Sequence, residues 1–589
     1  MYEMEDYDTC DRENNVYCKI KLVLIPNDAS NKLWQVIEAS KKEKRFMERD
    51  VIYRAKCIPK EYFIDTARVL AHVTEQENKN LENISFHVKV EKINCKENVQ
   101  ELSVNNYFIL WLLLSYLLLI VLATSIDLLV RRTNYILDIP KQKLITVLSV
   151  ISNWEALRKP IRSADYDKLK SFQGYRIFVM CVVIGCHSML AAVTAYSTNI
   201  RLLEDYSLST FKRVLINFGL HMIQPSFLIS GWLLTIQVYK TVERSNHKKL
   251  KLNMIGRALV ARYLRFILPL MFYLGLQKSH LLQLCFSGPQ TDLLDVDSKA
   301  CETYWWANLL LVNNFFYVKN MCNVSSWYLS CDFQALLVCM ALFYLMYKYN
   351  VGIKLFGIVL LLIGIVNAYV LYHAYTVYGV ETEVTYLARA EELKLDKFIE
   401  NDLLYIYHTS SFTNFGSYIV GVLFGAIYYR YKNAAIKINK VTTTIWILGH
   451  FGLQALVVTL SLYNYSPFTA AVIGSLLKPL FSVGIGIGIL GMSHNIGGLM
   501  KRVFESYPLE FVSRWIFSVY IFHLPLIFYR SSTWTYMPEL SYLFLIKIVS
   551  TDILLSFALG LIMHLIVERP LLNIVHIIIT KWSPNPKTN

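Results

Sequence analysis

The chain has 589 residues, of which 54% are hydrophobic and only 17% charged, against about 25% charged in a soluble domain. Apolar stretches of about 20 residues recur along it, each long enough to cross a hydrocarbon layer of roughly 30 Å, which excludes a soluble protein and predicts an all-α polytopic membrane protein. The net charge of +15 would suit nucleic acid, but the basic residues fall in loops between apolar spans, so no nucleic-acid partner is expected.

Residues 1–105 are polar and mixed and carry Cys10, Cys18, Cys57 and Cys95, which predicts a small domain outside the membrane. The first span covers 106–130, and a basic linker follows over 131–170. Ten further spans are expected near 175–197, 214–238, 258–278, 326–348, 353–375, 412–430, 443–463, 468–492, 512–530 and 543–567. The Gly-rich stretch 468–492 is a candidate for a broken helix. A tail, 571–589, closes the chain.

Loop charge predicts the orientation. If the first span runs outward to inward, segment 131–174 is cytoplasmic and holds nine Lys and Arg against four acids. The loops 239–257 and 430–440 fall on the same side, whereas 377–405 is acidic. The N-terminus is therefore expected outside the cytoplasm and the C-terminus inside. The sequons at Asn83, Asn323 and Asn464 fall on the outer side, with Pro467 weakening the third, so Asn83 and Asn323 are the candidate glycosylation sites. Cys285, Cys301 and Cys322 share one outer loop where disulfides persist. Oxidation is expected of Cys18, Cys57, Cys95, Cys301 and Cys322, with pairing left open. Cys181, Cys186, Cys331 and Cys339 are expected as free thiols packed as small hydrophobes. An outer N-terminal domain calls for a secretory signal, which "MYEMEDYDTCDREN" does not supply. The domain is thus expected either to follow residues upstream of Met1 or to be carried across by the first span.

The stretch "GYRIFVMCVVIGCHSML" keeps two ionisable groups in an apolar helix. Arg176 and His187 are eleven residues apart, which puts them on one helix face about 16 Å apart along the axis. Arg176 at the cytoplasmic edge reads as an anchor or an anion contact. A mid-membrane His reads as a helix–helix hydrogen bond or as a functional group. "RYLR" places Arg262 and Arg265 three apart on one face, where they serve as inner anchors or as a phosphate clamp. Asp332, Lys478 and His523 are further buried candidates, each balanced against a structural pairing. Glu568, at the end of the last span, suits a capping or salt-bridge role. No Walker loop, HExxH pair, GxSxG elbow or zinc spacing is present, and no bound metal or cofactor is expected.

At these residues the sequence resembles the membrane acyltransferase-3 family, whose signature is Arg, ten residues, then His. "RYLR" is similar to its RxxR element, and "PSFLISGWLL" to its FFxxSG-like segment, at Phe227, Ser230 and Gly231. More narrowly, the chain resembles the nose resistant to fluoxetine branch through "RAKCIPKEYF", "WYLSCDFQ" (Trp327, Tyr328, Asp332, Gln334), "PLEFVSRWIFSVYIFHLPLIF" and "ERP". It departs from the branch pattern at Asn414 and Lys478, both where Arg is usual. The resemblance implies one anchor helix plus a ten-helix acyltransferase core over 171–570. It also implies transfer from an acyl-thioester donor such as acyl-CoA to a hydroxyl-bearing lipid, sterol, sugar or other small acceptor. His187 would be the general base with Arg176 beside it, Arg262 and Arg265 would bind the donor, and Ser230, Trp327, Tyr328, Asp332, Gln334, Lys478, His523 and Glu568 would support them. Carriage of lipids or amphiphiles through the same helices is the alternative, and an anchored receptor ranks third. Plasma membrane and endoplasmic reticulum are not distinguished.

Overall fold

The computed structural model describes residues 2–12, 15–42, 46–64, 66–96, 104–133, 145–161, 163–245, 249–281, 288–377, 393–434 and 436–581. Cys285 and much of the acidic 377–405 loop lie outside these.

The N-terminal part is built on a four-stranded sheet: β1 (Tyr2–Met4), β2 (Val16–Pro26), β3 (Val51–Ile58) and β4 (Phe86–Lys96), in the order β1-β3-β2-β4. β2 pairs antiparallel with both neighbours. Along "VYCKIKLVLIP", Cys18, Ile20, Leu22 and Leu24 point to one face. There they pack on Ile37 of α1 (Lys32–Lys41) and on Val69 and Val73 of α2 (Thr66–Leu81). Ile20 and Leu22 are fully buried, each contributing about 1.5–3 kcal/mol relative to an exposed side chain. Disulfide Cys18–Cys95 joins β2 to β4, Cys10–Cys57 ties the short helix Tyr7–Arg12 to β3, and Cys301–Cys322 closes a loop of the membrane part. Cys10 is thus oxidised as well, and Cys181, Cys186, Cys331 and Cys339 are free thiols.

Among the described residues, eleven helices are long and apolar enough to cross a membrane. The first, α3 (Val104–Thr133), shows apolar side chains to its surroundings along most of its length. α4 (Val150–Arg158) follows it. Then come α5 (Ser171–Thr194), α6 (Gln224–Glu243), α7 (Leu252–Lys278), the non-spanning α8 (Asp292–Leu309), α9 (Trp327–Lys348), α10 (Lys354–Val377) and α11 (Ser411–Tyr431). The remaining spans are α12 (Lys440–Leu460), α13 (Pro467–Ser493), α14 (Ile516–Ser532) and α15 (Tyr542–Met563), the last continuing towards α16 (Arg569–Lys581).

Lipid tails are as apolar as Leu, so these helices associate by close packing rather than by hydrophobic exclusion. α6 and α11 meet most intimately. A Cβ on Gly231 would stand 2.2 Å from the Tyr418 carbonyl oxygen, and one on Gly421 would stand 2.1 Å from that of Leu228. This explains Gly231 in "PSFLISGWLL". α13 is one continuous helix rather than the broken one its glycines suggested. Gly488 and Gly491 instead admit the rings of His450 and Trp446.

The two ends of the membrane part differ. At one end the N-terminal domain docks: Lys19 pairs with Asp292, Lys21 with Asp396 at 2.9 Å, and Arg49 with Glu204 at 2.6 Å. At the other lie Arg131 with Asp127 and Glu155, and Lys240 with Asp165. At that second end Lys240 and Tyr428 outweigh burial and hold the Asp165 carboxyl below its ordinary range.

Candidate functional site

α5 carries one stripe of residues 176, 179, 180, 183, 187 and 190, the helical repeat of a single face. Two cavities open along this stripe. The first holds about 950 Å³ and reaches the end opposite the N-terminal domain; the second holds about 140 Å³ and contains His187. Val183, Ile223 and Tyr520 line both, so the two spaces meet at these side chains.

In the second cavity, His187 Nδ1 lies 2.9 Å from His523 Nε2, with the rings stacked at 15°. His523 Nδ1 lies 2.7 Å from the Tyr520 carbonyl oxygen. A carbonyl only accepts, so His523 Nδ1 must carry its proton. The neutral ring then offers Nε2 as an acceptor, and His187 donates Nδ1–H to it. Neutral His187 is left with an unprotonated Nε2, the form that accepts a proton. His523 is fully buried and serves as the fixed post behind His187.

Pro525, inside α14, has no N–H to give the Ile521 carbonyl four residues earlier. Asn323 Nδ2 donates to that carbonyl at 3.1 Å, and its Oδ1 accepts from Ser325. Asn323 is 1% exposed. The expectation of a glycan there is therefore corrected: the side chain is committed inside the fold. Asn83 is exposed in a turn before β4.

Asp297 of α8 also lines the His187 cavity. It accepts from Tyr273, from Gln277 Nε2 at 2.6 Å and from the Asn323 N–H at 2.7 Å. Burial, partly offset by these donors, pushes its carboxyl above the ordinary range.

The first cavity gathers Arg176, Arg262 and Arg265 with Lys159, Lys240, Arg514 and Arg569, against Asp165 as the one acidic lining residue among those described. The arginines are not equivalent. Arg262 Nη2 donates to Asp332 at 2.8 Å and to Ser230 at 2.9 Å. Asp332 is fully buried, so this pair is part of the framework. Among the described residues, Arg176 donates only to Gln173, at 3.2 Å. Arg265 forms no hydrogen bond or ion pair among the described residues and lies over the Phe517 ring. Arg176 and Arg265 therefore have donors to spare for an anion.

Of the other expected residues, Tyr328 and Ser230 line the first cavity and Trp327 the second. Glu568 lines neither space; it accepts from Ser518 at 2.6 Å and pairs with His564, which lines the first cavity. Lys478 is buried and donates to the Tyr407 carbonyl at 2.5 Å, to Thr413 and to Asn414. The two departures from the expected Arg pattern thus touch each other. Gln334 faces a separate cleft. The sequence reading missed His408, which lines the His187 cavity at the end of the π-helical turn Leu404–His408. Such turns recur at functional sites, but no local motif marks this one.

Residues 169–571 match the acyltransferase-3 family's sequence model, described as "Acyltransferase domain". No curated protein and no solved structure matches the chain.

Proposed function

The chain belongs to the acyltransferase-3 family, and on that premise we propose that it transfers an acyl group from an acyl thioester, such as acyl-CoA, to a hydroxyl on a lipid or other small acceptor. The observation that carries this reading is the Tyr520–His523–His187 chain, which leaves His187, a residue lining the second cavity, with a bare imidazole nitrogen. His187 Nε2 takes the acceptor's hydroxyl proton as the oxygen attacks the thioester carbonyl. The same proton then passes to the departing thiolate, so one group serves as base and acid. The donor's anionic part lies against Arg176 and Arg265. Its thioester must then reach His187 about 16 Å further along α5, which requires a long flexible arm. The order of blocks along the chain favours the nose resistant to fluoxetine branch. The charge distribution favours an N-terminal domain outside the cytoplasm and a cytoplasmic C-terminus.

Two cavities that meet inside the membrane also favour a second reading, carriage of an amphiphile between the two ends. The test is incubation of purified protein in bilayers with radiolabelled acyl-CoA and membrane lipids. Acyl transfer yields a labelled lipid and free CoA. Movement of a lipid probe across the bilayer with no donor consumed would replace this reading by transport.

A further inference from the structure

A third cavity, about 430 Å³, lies between α9, α10 and α11, apart from the two described above. Its rim is formed by Val338, Leu362, Val366 and Phe412, all exposed on the surface that faces lipid. Among the described residues, no charged one lines it. Its polar groups collect towards the end where the N-terminal domain docks. Gln334 is seven residues, about 10 Å, into α9, and Ser411 is the first residue of α11. The space is thus apolar along most of its depth and polar at one end, the outline of a lipid lying parallel to its neighbours.

The polar end has one unfilled valence. Asn367 of α10 lines the cleft, is 2% exposed, and donates Nδ2 to the Phe412 carbonyl at 3.0 Å. Its Oδ1, the acceptor, has no partner among the described residues. Gln334 and Ser411 are by contrast satisfied, through each other at 2.5 Å and through Asn314. An apolar site that lacks any charge and has one free acceptor selects a neutral ligand with one donor. A phospholipid headgroup would bring a phosphate with no cation to meet it.

We propose that this cleft binds an uncharged lipid carrying a single hydroxyl, of the sterol or fatty-alcohol class, with the hydroxyl donated to Asn367 Oδ1. Binding here does not require acyl transfer. The cleft nevertheless backs onto the His187 cavity: Cys331 lines the cleft, Thr409 lines the cavity, and Cys331 Sγ lies 3.2 Å from the Thr409 carbonyl oxygen.

The test is photolabelling of the full-length protein in bilayer nanodiscs. The probes are a diazirine sterol with a free hydroxyl, its methyl ether, a diazirine fatty alcohol and a diazirine phosphatidylcholine. The proposal expects saturable labelling on α9, α10 and α11 by the sterol or the fatty alcohol, and the stronger of the two identifies the source. Labelling should fall about fivefold for the ether and for Asn367→Leu, the scale of one lost hydrogen bond. Val366→Trp, on the exposed face where folding is not at stake, should abolish it. Equal labelling of the cleft by the phosphatidylcholine probe, or labelling unchanged in both variants, would overturn the proposal. Because the readout is labelling, it stands or falls independently of whether acyl-CoA is consumed.

Discussion

His187 and His523 are 336 positions apart in sequence, yet their ring nitrogens lie 2.9 Å apart. The Tyr520 carbonyl behind them determines which nitrogen of each ring carries the proton. Replacing His523 should therefore damage catalysis without touching substrate. His523→Phe is expected to lower kcat while leaving donor KM near its wild-type value. His523→Asn, which can still accept from His187, should recover part of the rate. Steady-state kinetics on the three proteins checks this. A His523→Phe enzyme with unchanged kcat would show that His187 needs no post behind it.

The arginines should separate. Arg265→Ala removes a guanidinium that no group among the described residues pairs, so donor affinity should fall with thermal stability retained. Arg262→Ala leaves Asp332 buried and uncompensated, a loss of about 3–5 kcal/mol for a broken buried pair. Thermal unfolding of the detergent-solubilised variants, beside acyl-CoA binding, distinguishes the two effects.

Asn323→Ala should destabilise the protein by about 1–3 kcal/mol, because the Ile521 carbonyl freed by Pro525 loses its donor. Asn323→Gln should leave the glycosidase-sensitive mass unchanged, and Asn83→Gln should remove it. Loss of glycan mass with Asn323→Gln would place this loop outside the fold described.

Docking of the N-terminal domain should weaken in acid. Asp396 is pushed up by burial and pulled further down by Lys21, so its carboxyl sits below its ordinary value. Burial lowers the Lys21 ammonium, and Asp396 and Glu91 more than restore it, so it sits above. A lowered carboxyl contributes docking stability above its free value, near 3.9, and loses it as pH falls through the lower docked value. The raised ammonium keeps its contribution until pH climbs through its own raised value, above 10.5. Between these limits the contact should be flat. Hydrogen exchange at residues 393–400 should rise below about pH 4, and Lys21→Ala should raise it at neutral pH.

The spans were legible because an apolar run of that length has few alternatives in water or in lipid. The stripe from Arg176 to His187 was legible because helical periodicity alone aligns them. What joins distant segments was not. Nothing near His523 announces His187, and nothing near Lys478 announces Tyr407 or Asn414. Asn323 was misread because a sequon describes three consecutive residues, whereas its burial depends on a proline about two hundred positions later. The glycines of α13 were read as breaks by a rule learned in water. Within a bilayer no water competes for the backbone, and glycine there admits a neighbouring ring. The sheet of the N-terminal domain was written in the alternation of Val16–Pro26, which the sequence reading passed over in favour of its cysteines.

The most direct measurement of the central claim is single-turnover transfer by His187→Ala, beside acyl-CoA binding to the same protein. With His187 as the proton acceptor, the chemical step should slow by about 10²- to 10⁴-fold while acyl-CoA still binds at the arginine-lined cavity. A folded His187→Ala protein that transfers acyl groups at the wild-type rate would contradict the account.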